Sequence, residues 1–373
     1  MPVISLGRIE DAHEKGVWAI TKLGNGRFLS GGLDGALKLW QLGAQERGPV
    51  DAAPAASAQE GDTATSTSAG DEVAELVAHW PQAHHLAVTS LDSVPAQNLA
   101  VSTGFDGRIR VWKLDATTPE QAALSEHQLN PLEAFQVAVS AGADSVAIGG
   151  DVFAGASQPQ RICLAALYRL PLLEKAHSLE VERDARLEQY RFTTCVRFAA
   201  SAATTAPANM LLCGGNNGTL VAVDINTEAW DCVTLASDHQ SGASVSEIKS
   251  SGLPVRALAQ TKKEPSIVFC ASEDECIHVV DWRMCEEASI FATAGSGPLF
   301  AVTVTEEEPV LVFAAGADGQ VRAYDRRSGE CVYTQNAETR KAIWSLESID
   351  REGLGAPRIV LGGDDGYLEV LKA

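Results

Sequence analysis

Histidine, serine and aspartate recur together in this chain at spacings that could bring a nucleophile, a general base and an orienting carboxylate into one site. His13, Ser30 and Asp34 form one set, and His84, Ser102 and Asp106 form a second of almost the same spacing. The second copy argues against catalysis, because a reacting centre is assembled once, whereas residues that return with a repeat belong to its scaffold. Other reactive signatures are missing from the sequence: there is no phosphate-cradling GxxxxGK[ST], no HExxH and no GxSxG. Acid pairs such as Asp364 with Asp365, and the run Glu306 to Glu308, read as turn and solvated loop. The expectation is a protein that is not an enzyme, with no catalytic residue, metal ligand or cofactor.

The elements that must hold these residues are written as a repeated cassette: two small residues, an acid or amide, a glycine, then an alternating apolar strand. It reads SGGLDGALKLWQL from Ser30, STGFDGRIRVWKL from Ser102, CGGNNGTLVAVDI from Cys213, CASEDECIHVVDW from Cys270, AAGADGQVRAYDR from Ala314 and LGGDDGYLEVLKA from Leu361, with a degraded IGGD at Ile148. Aligned on Asp34, Asp106, Asp151, Asn217, Asp274, Asp318 and Asp365, successive copies are 72, 45, 66, 57, 44 and 47 residues apart. The short steps match one four-stranded propeller blade, and the long ones require inserted loops. Asp-Gly and Asn-Gly supply the positive φ angles of tight hairpins, and alternation such as Ile109 and Val111 puts apolar side chains on one face.

Apolar stretches ahead of the turns, among them VWAI at Val17, FQVAV at Phe135, VRALA at Val255, FAVTV at Phe300 and IWSL at Ile343, add another strand to each sheet. The predicted fold is therefore all-β: a single seven-bladed β-propeller over residues 1–373. The seventh repeat ends after its third strand while VISLGRI, from Val3, precedes the first repeat. Joining the two closes the ring and removes an exposed sheet edge.

Composition limits the partners. With 45% hydrophobic residues in 373 there is ample core. A net charge of −20 with pI near 4.8 speaks against direct binding to nucleic acid, which draws its affinity from Lys and Arg neutralising phosphates. The start MPVISLGRIEDAHEK lacks the basic-then-apolar pattern of a secretory signal, and no stretch reaches the roughly 18 apolar residues of a membrane span. The eight cysteines are scattered without zinc-site spacing. Reduced thiols in the cytoplasm, or also the nucleus, are expected, and Asn217-Gly218-Thr219 is then a hairpin turn, not a glycan acceptor.

Three irregular stretches interrupt the repeats. Residues 43–72 are mostly Ala, Ser, Thr, Gly, Gln and acid without an aromatic, a composition that predicts a disordered loop in the first blade. Residues 151–191 read as a longer insertion holding a charge-rich strand and a short helix, and 238–252 as a loop before the fifth blade.

The cassettes resemble WD-repeat propellers along nearly the whole chain. That resemblance implies a structural role for the recurring triads: Trp40 and Trp112 would donate to the serines, the serines would meet the histidines, and the histidines would reach the aspartates, giving two tetrads of His13, Ser30, Asp34, Trp40 and His84, Ser102, Asp106, Trp112. It also implies which residues line the top entrance where partners dock: Trp18, Leu33, Phe105, Phe135, Phe192, Phe300 and Trp344, with Glu133 and Arg256 beside them. In a chain with 6% aromatic residues that is a concentration of rings, and aromatics with Arg dominate interface energetics.

Taken in order, AHEKGVWAI from Ala12, HHLAVTSLDSVPAQNLAVSTGFDGRIRVWKLD from His84, NPLEAFQVAVS from Asn130, RFTTCVRFAAS from Arg191 and LPVRALAQ from Leu253 resemble successive repeats of the small WD-repeat subunit of the superkiller (Ski) complex. The resemblance implies a non-catalytic scaffold holding a tetratricopeptide-repeat partner beside an RNA helicase that feeds messenger RNA to the cytoplasmic exosome for 3′-to-5′ decay. Family members also serve the transcription-elongation (Paf) complex in some lineages and the meiotic break-forming machinery in others. The alternatives are a WD-repeat adaptor of a nuclear complex or a ubiquitin ligase, and an enzyme using the central pocket.

Overall fold

The computed structural model describes residues 3–43, 73–115, 122–129, 133–151, 161–183, 185–200, 209–235, 252–293, 295, 297–335, 341–349 and 356–373. The loops expected at 43–72 and 238–252 lie outside these residues apart from Gly43 and Gly252. The described residues form seven four-stranded antiparallel sheets. In sheet order the first strands are Val17–Gly24, Val88–Val94, Glu133–Val139, Thr193–Phe198, Val255–Ala259, Leu299–Val304 and Ile343–Ile349. Each lies beside the first strand of the next sheet, and the seventh lies beside the first, so these strands form a closed inner ring. The architecture is a seven-bladed β-propeller.

Every blade leans on another for its core. Seven clusters of buried apolar residues occupy the described structure, and each draws on two neighbouring blades. Val101, Ile109 and Val111 of blade two pack with Val146 and Ile148 of blade three, for example. Val17, Phe28 and Trp40 of blade one pack with Val360 and Val370 of blade seven. A sheet buries an apolar face only against another layer, and in a ring each sheet finds one on both sides.

The seam closes as the repeat count demands. Ile4–Ile9 pairs antiparallel with Leu368–Lys372, from Ile4 opposite Lys372 to Ile9 opposite Leu368, and completes the seventh sheet. A buried carboxylate fastens it: Glu369, 1% exposed, accepts hydrogen bonds from Ser5 Oγ at 2.7 Å, Gln335 Nε2 at 2.6 Å and Arg8 Nε at 3.4 Å. The Arg8 guanidinium also lies 4.5 Å over the Tyr367 ring. Arg8 and Ser5 come from one end of the chain, Gln335 from just past the outer strand of blade six.

Residues 161–182, expected within an insertion, are instead the two outer strands of blade three, Arg161–Arg169 and Glu174–Glu182. Arg161–Arg169 is buried at seven consecutive positions, so its apolar run carries no period-two signal to mark it as a strand. The short helix expected after it is a single 3-10 turn at Ala185–Leu187.

Deleting residues 1–9 is expected to bare the edge of the last strand and leave Glu369 buried without Ser5 and Arg8. Thermal unfolding should show a loss of at least about 4 kcal/mol; an unchanged midpoint would mean that the seam does not carry the ring.

Candidate functional site

The two recurring triads are assembled with their tryptophans. In blade one Trp40 Nε1–H donates to Ser30 Oγ at 2.9 Å, Ser30 Oγ donates to His13 Nε2 at 2.8 Å, and His13 Nδ1–H faces both Asp34 oxygens at 3.1 Å. In blade two the same path runs from Trp112 through Ser102 and His84 to Asp106, at 2.8, 2.7 and 2.9 Å. An aspartate accepts only, which fixes the proton on Nδ1 and leaves Nε2 to accept from the serine. The serines and histidines are at most 2% exposed, so no substrate reaches them.

The networks also join blades. His13 N donates to Gly366 O of blade seven at 2.8 Å, and His84 N donates to Gly35 O of blade one at 2.9 Å, while each ring bonds to its own sheet. Gly366 and Gly35 have φ of 75° and 76°, and a Cβ on either would lie 2.4 Å from the carbonyl oxygen of that histidine. Burial opposes the Asp106 charge, but the hydrogen bond and charge of His84 with the N–H groups of His85 and Arg108 outweigh it and hold the carboxyl at about 2. Burial pushes His84 below its ordinary value, against the pull of Asp106.

Other blades fill this position differently. In blade four Tyr190 stands against Gly215 as His13 stands against Gly32, and its hydroxyl shares a 2.6 Å hydrogen bond with Thr193. In blade five His278 donates from Nε2 to Asp274 at 2.9 Å and from Nδ1 to Glu287. Burial opposes the imidazolium, yet two carboxylate acceptors outweigh it and push His278 up to about 9. The sequence carried a signal for such pairs: a basic residue four places after the turn acid, as in Asp106/Arg110, Asp274/His278 and Asp318/Arg322. Among the described residues, no group of three or more His, Cys, Asp or Glu is disposed to hold a metal ion.

The exposed face is defined by a backbone feature that the sequence does not announce. Each inner strand departs from regular pairing one residue into the strand or just after, so that one residue is left over: Trp18, Thr89, Phe135, Thr194, Arg256, Phe300 and Trp344. These seven bulges sit at the same end of the inner ring. A bulge turns its extra side chain out of the ladder. In six blades the residue before the turn acid or amide donates its N–H to the carbonyl two residues before the bulge, as Leu33 does to Gly16, Phe105 to Ala87 and Asp364 to Ala342. That bond brings the pre-turn side chains to the same end.

Four rings are continuous there. Phe105 meets Trp18 edge-on at 5.6 Å, Trp18 meets Trp344 at 5.5 Å, and Trp344 stacks on Phe300 at 4.3 Å with planes 5° apart. Phe135 and Phe192 form a separate pair at 5.6 Å. Phe105 is exposed and Leu33, Trp18, Phe135, Phe192, Phe300 and Trp344 are half-buried, so none is sealed in the core. Phe192 reaches the face two residues ahead of its blade's bulge, where Thr194 stands, and Thr89 and Thr194 are bulge residues that aromatic content alone passes over. Arg256 does not stand free: its Nε donates to Glu273 at 2.6 Å. Trp344 Nε1 donates to Asp364 at 2.5 Å. Glu133 opens its strand, and its side chain lies outside the described structure.

The fold is that of a seven-bladed β-propeller, and blades one and two carry the buried networks that resemble those of WD repeats. Residues 5–41 and 73–113, the stretches that carry both complete tetrads, match the family model "WD domain, G-beta repeat". The WD40 β-propeller domain of Doa1 has a similar crystal structure, with TM-score 0.66 over 100% of this chain and 97% of that one at 13% identity. No curated protein matches the chain.

Two stability outcomes follow. Trp40→Phe, which keeps the ring and removes the donor, should cost about 1–2 kcal/mol in denaturant unfolding; a neutral change would show that the tetrad is idle. His278, raised above an unfolded value near 6.5, stabilises fully below that pH, and its contribution should fade as pH rises through about 9. Unfolding midpoints measured from pH 6.5 to 9.5 should fall in the wild type and fall less in His278→Gln, whereas parallel curves would contradict the assignment.

Proposed function

We propose that the chain is a non-catalytic scaffold that binds a protein partner through the ring-bearing end of the propeller, and that it serves a Ski-like assembly supporting exosome-dependent mRNA decay. The observation that carries the first part is the unbroken run Phe105–Trp18–Trp344–Phe300 on the bulged ends of three blades and a neighbouring turn. Contiguous, partly exposed rings of this kind are what interfaces use as anchors. Several charged groups at that end are engaged with one another, Arg256 with Glu273 and Lys341 with Asp365 at 2.9 Å, an arrangement that fits a docking surface better than a reacting centre.

The second part rests on the ordered resemblance of the repeats to the Ski subunit. On this reading the face takes a tetratricopeptide-repeat protein, which brings an RNA helicase, and nucleic acid is engaged only through them. The site of action is the cytoplasm, with the nucleus as a second location.

Affinity purification from native cells tests the assembly. Recovery of a large tetratricopeptide-repeat protein with a helicase is expected, and recovery of elongation-factor or ubiquitin-ligase subunits in their place would move the chain to another pathway. Trp18→Ala, Phe135→Ala or Trp344→Ala should each weaken capture of the recovered partner by roughly tenfold or more while leaving the unfolding midpoint nearly unchanged. A large fall in midpoint would assign the rings to folding.

A further inference from the structure

Blade four interrupts the aromatic face with a different chemistry. Arg183, Glu188, Gln189, Arg191 and Asn216 are among the residues lining an open cavity of about 570 Å³ there. Asn216 occupies the pre-turn position that Phe105 holds in blade two, its N–H bonded to Phe192 O at 3.2 Å, so the cavity opens on the ring-bearing end beside the Phe135–Phe192 pair. The Asn216 side-chain oxygen is used inward, accepting the N–H groups of Arg191 at 2.8 Å and Phe192 at 3.2 Å. This turns its amide nitrogen, a donor, away from those bonds. Arg183 Nη1 donates to Glu188 O at 2.9 Å, which holds its guanidinium at the wall.

Neither Arg183 nor Arg191 has an ion-pair partner among the described residues, although the chain holds 49 acids to 29 bases. Two guanidinium forks with the amides of Gln189 and Asn216 present more N–H donors than the two oxygens of a carboxylate can use. A phosphoryl group, with three terminal oxygens and close to two negative charges, matches them. The charge of −20 disfavours a nucleic-acid backbone as its source.

We propose that this pocket takes a phosphorylated serine or threonine of a protein partner seated on the ring-bearing end, with Arg183 and Arg191 gripping the phosphoryl oxygens. The choice of a protein as occupant rests on the function proposed above, while the anion chemistry does not. Phosphorylation of the partner would then raise its affinity for the propeller.

Calorimetric titration with a short phosphoserine peptide, its unphosphorylated twin and inorganic phosphate tests the pocket. The phosphopeptide should bind at least about tenfold more tightly than its twin. Arg191→Gln and Arg183→Gln should each weaken it by about tenfold, the scale of a lost charge-assisted bond, and Glu188→Gln should tighten it. These side chains are exposed, so the unfolding midpoint should not move in any variant. Equal binding of the two peptides, or binding indifferent to both arginine substitutions, would overturn the proposal, as would binding of inorganic phosphate without the phosphopeptide. Arginine-dependent phosphopeptide binding in a protein whose ring variants still capture every partner would leave the pocket standing and remove the aromatic rings as the anchors of docking.

Discussion

Among the described residues, no blade has a core of its own. Each apolar cluster is shared by two neighbouring sheets, so the stability of any blade is conditional on both neighbours and finally on closure of the ring. The pairing of Ile4–Ile9 with Leu368–Lys372 supplies that closure, and buried Glu369 is tied to residues from both ends of the chain. Closure is also what makes function possible. Trp18 and Trp344 lie more than 300 positions apart in sequence, yet they touch, because blade seven is the neighbour of blade one.

Polar chemistry inside the ring works toward the same end. The His–Ser–Asp–Trp networks look like nucleophilic triads in residue type, but their geometry fastens the chain between one blade's turn and the next blade's sheet. Each histidine uses its backbone on one blade and its ring on the other. Buried polar groups are costly unless paired, and pairing makes the crossing loop's position unique. His278 with Asp274 and Glu287, and Tyr190 with Thr193, give other blades different paired groups in the same region.

What could be read from the sequence was whatever local spacing encodes. Asp-Gly turns, alternating strands, the recurring His, Ser and Asp and the completing strand at the start of the chain each depend on residues close in sequence or on a counted repeat, while the tryptophans of the tetrads came from the resemblance to WD-repeat propellers. Bulges escaped because an unpaired residue is defined by its partner strand: Thr89 and Thr194 needed the register, whereas Trp18, Phe135, Arg256, Phe300 and Trp344 were placed at the entrance by the resemblance to WD-repeat propellers. Of the outer strands of blade three, the charge-rich Glu174–Glu182 was legible as a strand, while Arg161–Arg169 escaped because it is buried on both faces and has no Asp-Gly turn to punctuate it. The pairing of Arg256 with Glu273 escaped for a related reason, since Glu273 lies on a different strand's turn and only the fold brings them together.

The central claim is that the ring-bearing end is where a partner sits. Site-specific photo-crosslinking compares it directly with the outer edge: one probe replaces Phe105, 43% exposed beside Trp18, and another replaces Val332, 54% exposed on the outermost strand of blade six. The account predicts that a partner protein is trapped from position 105 and not from position 332. Trapping from 332 alone would place the interface on the rim of the blades and contradict it.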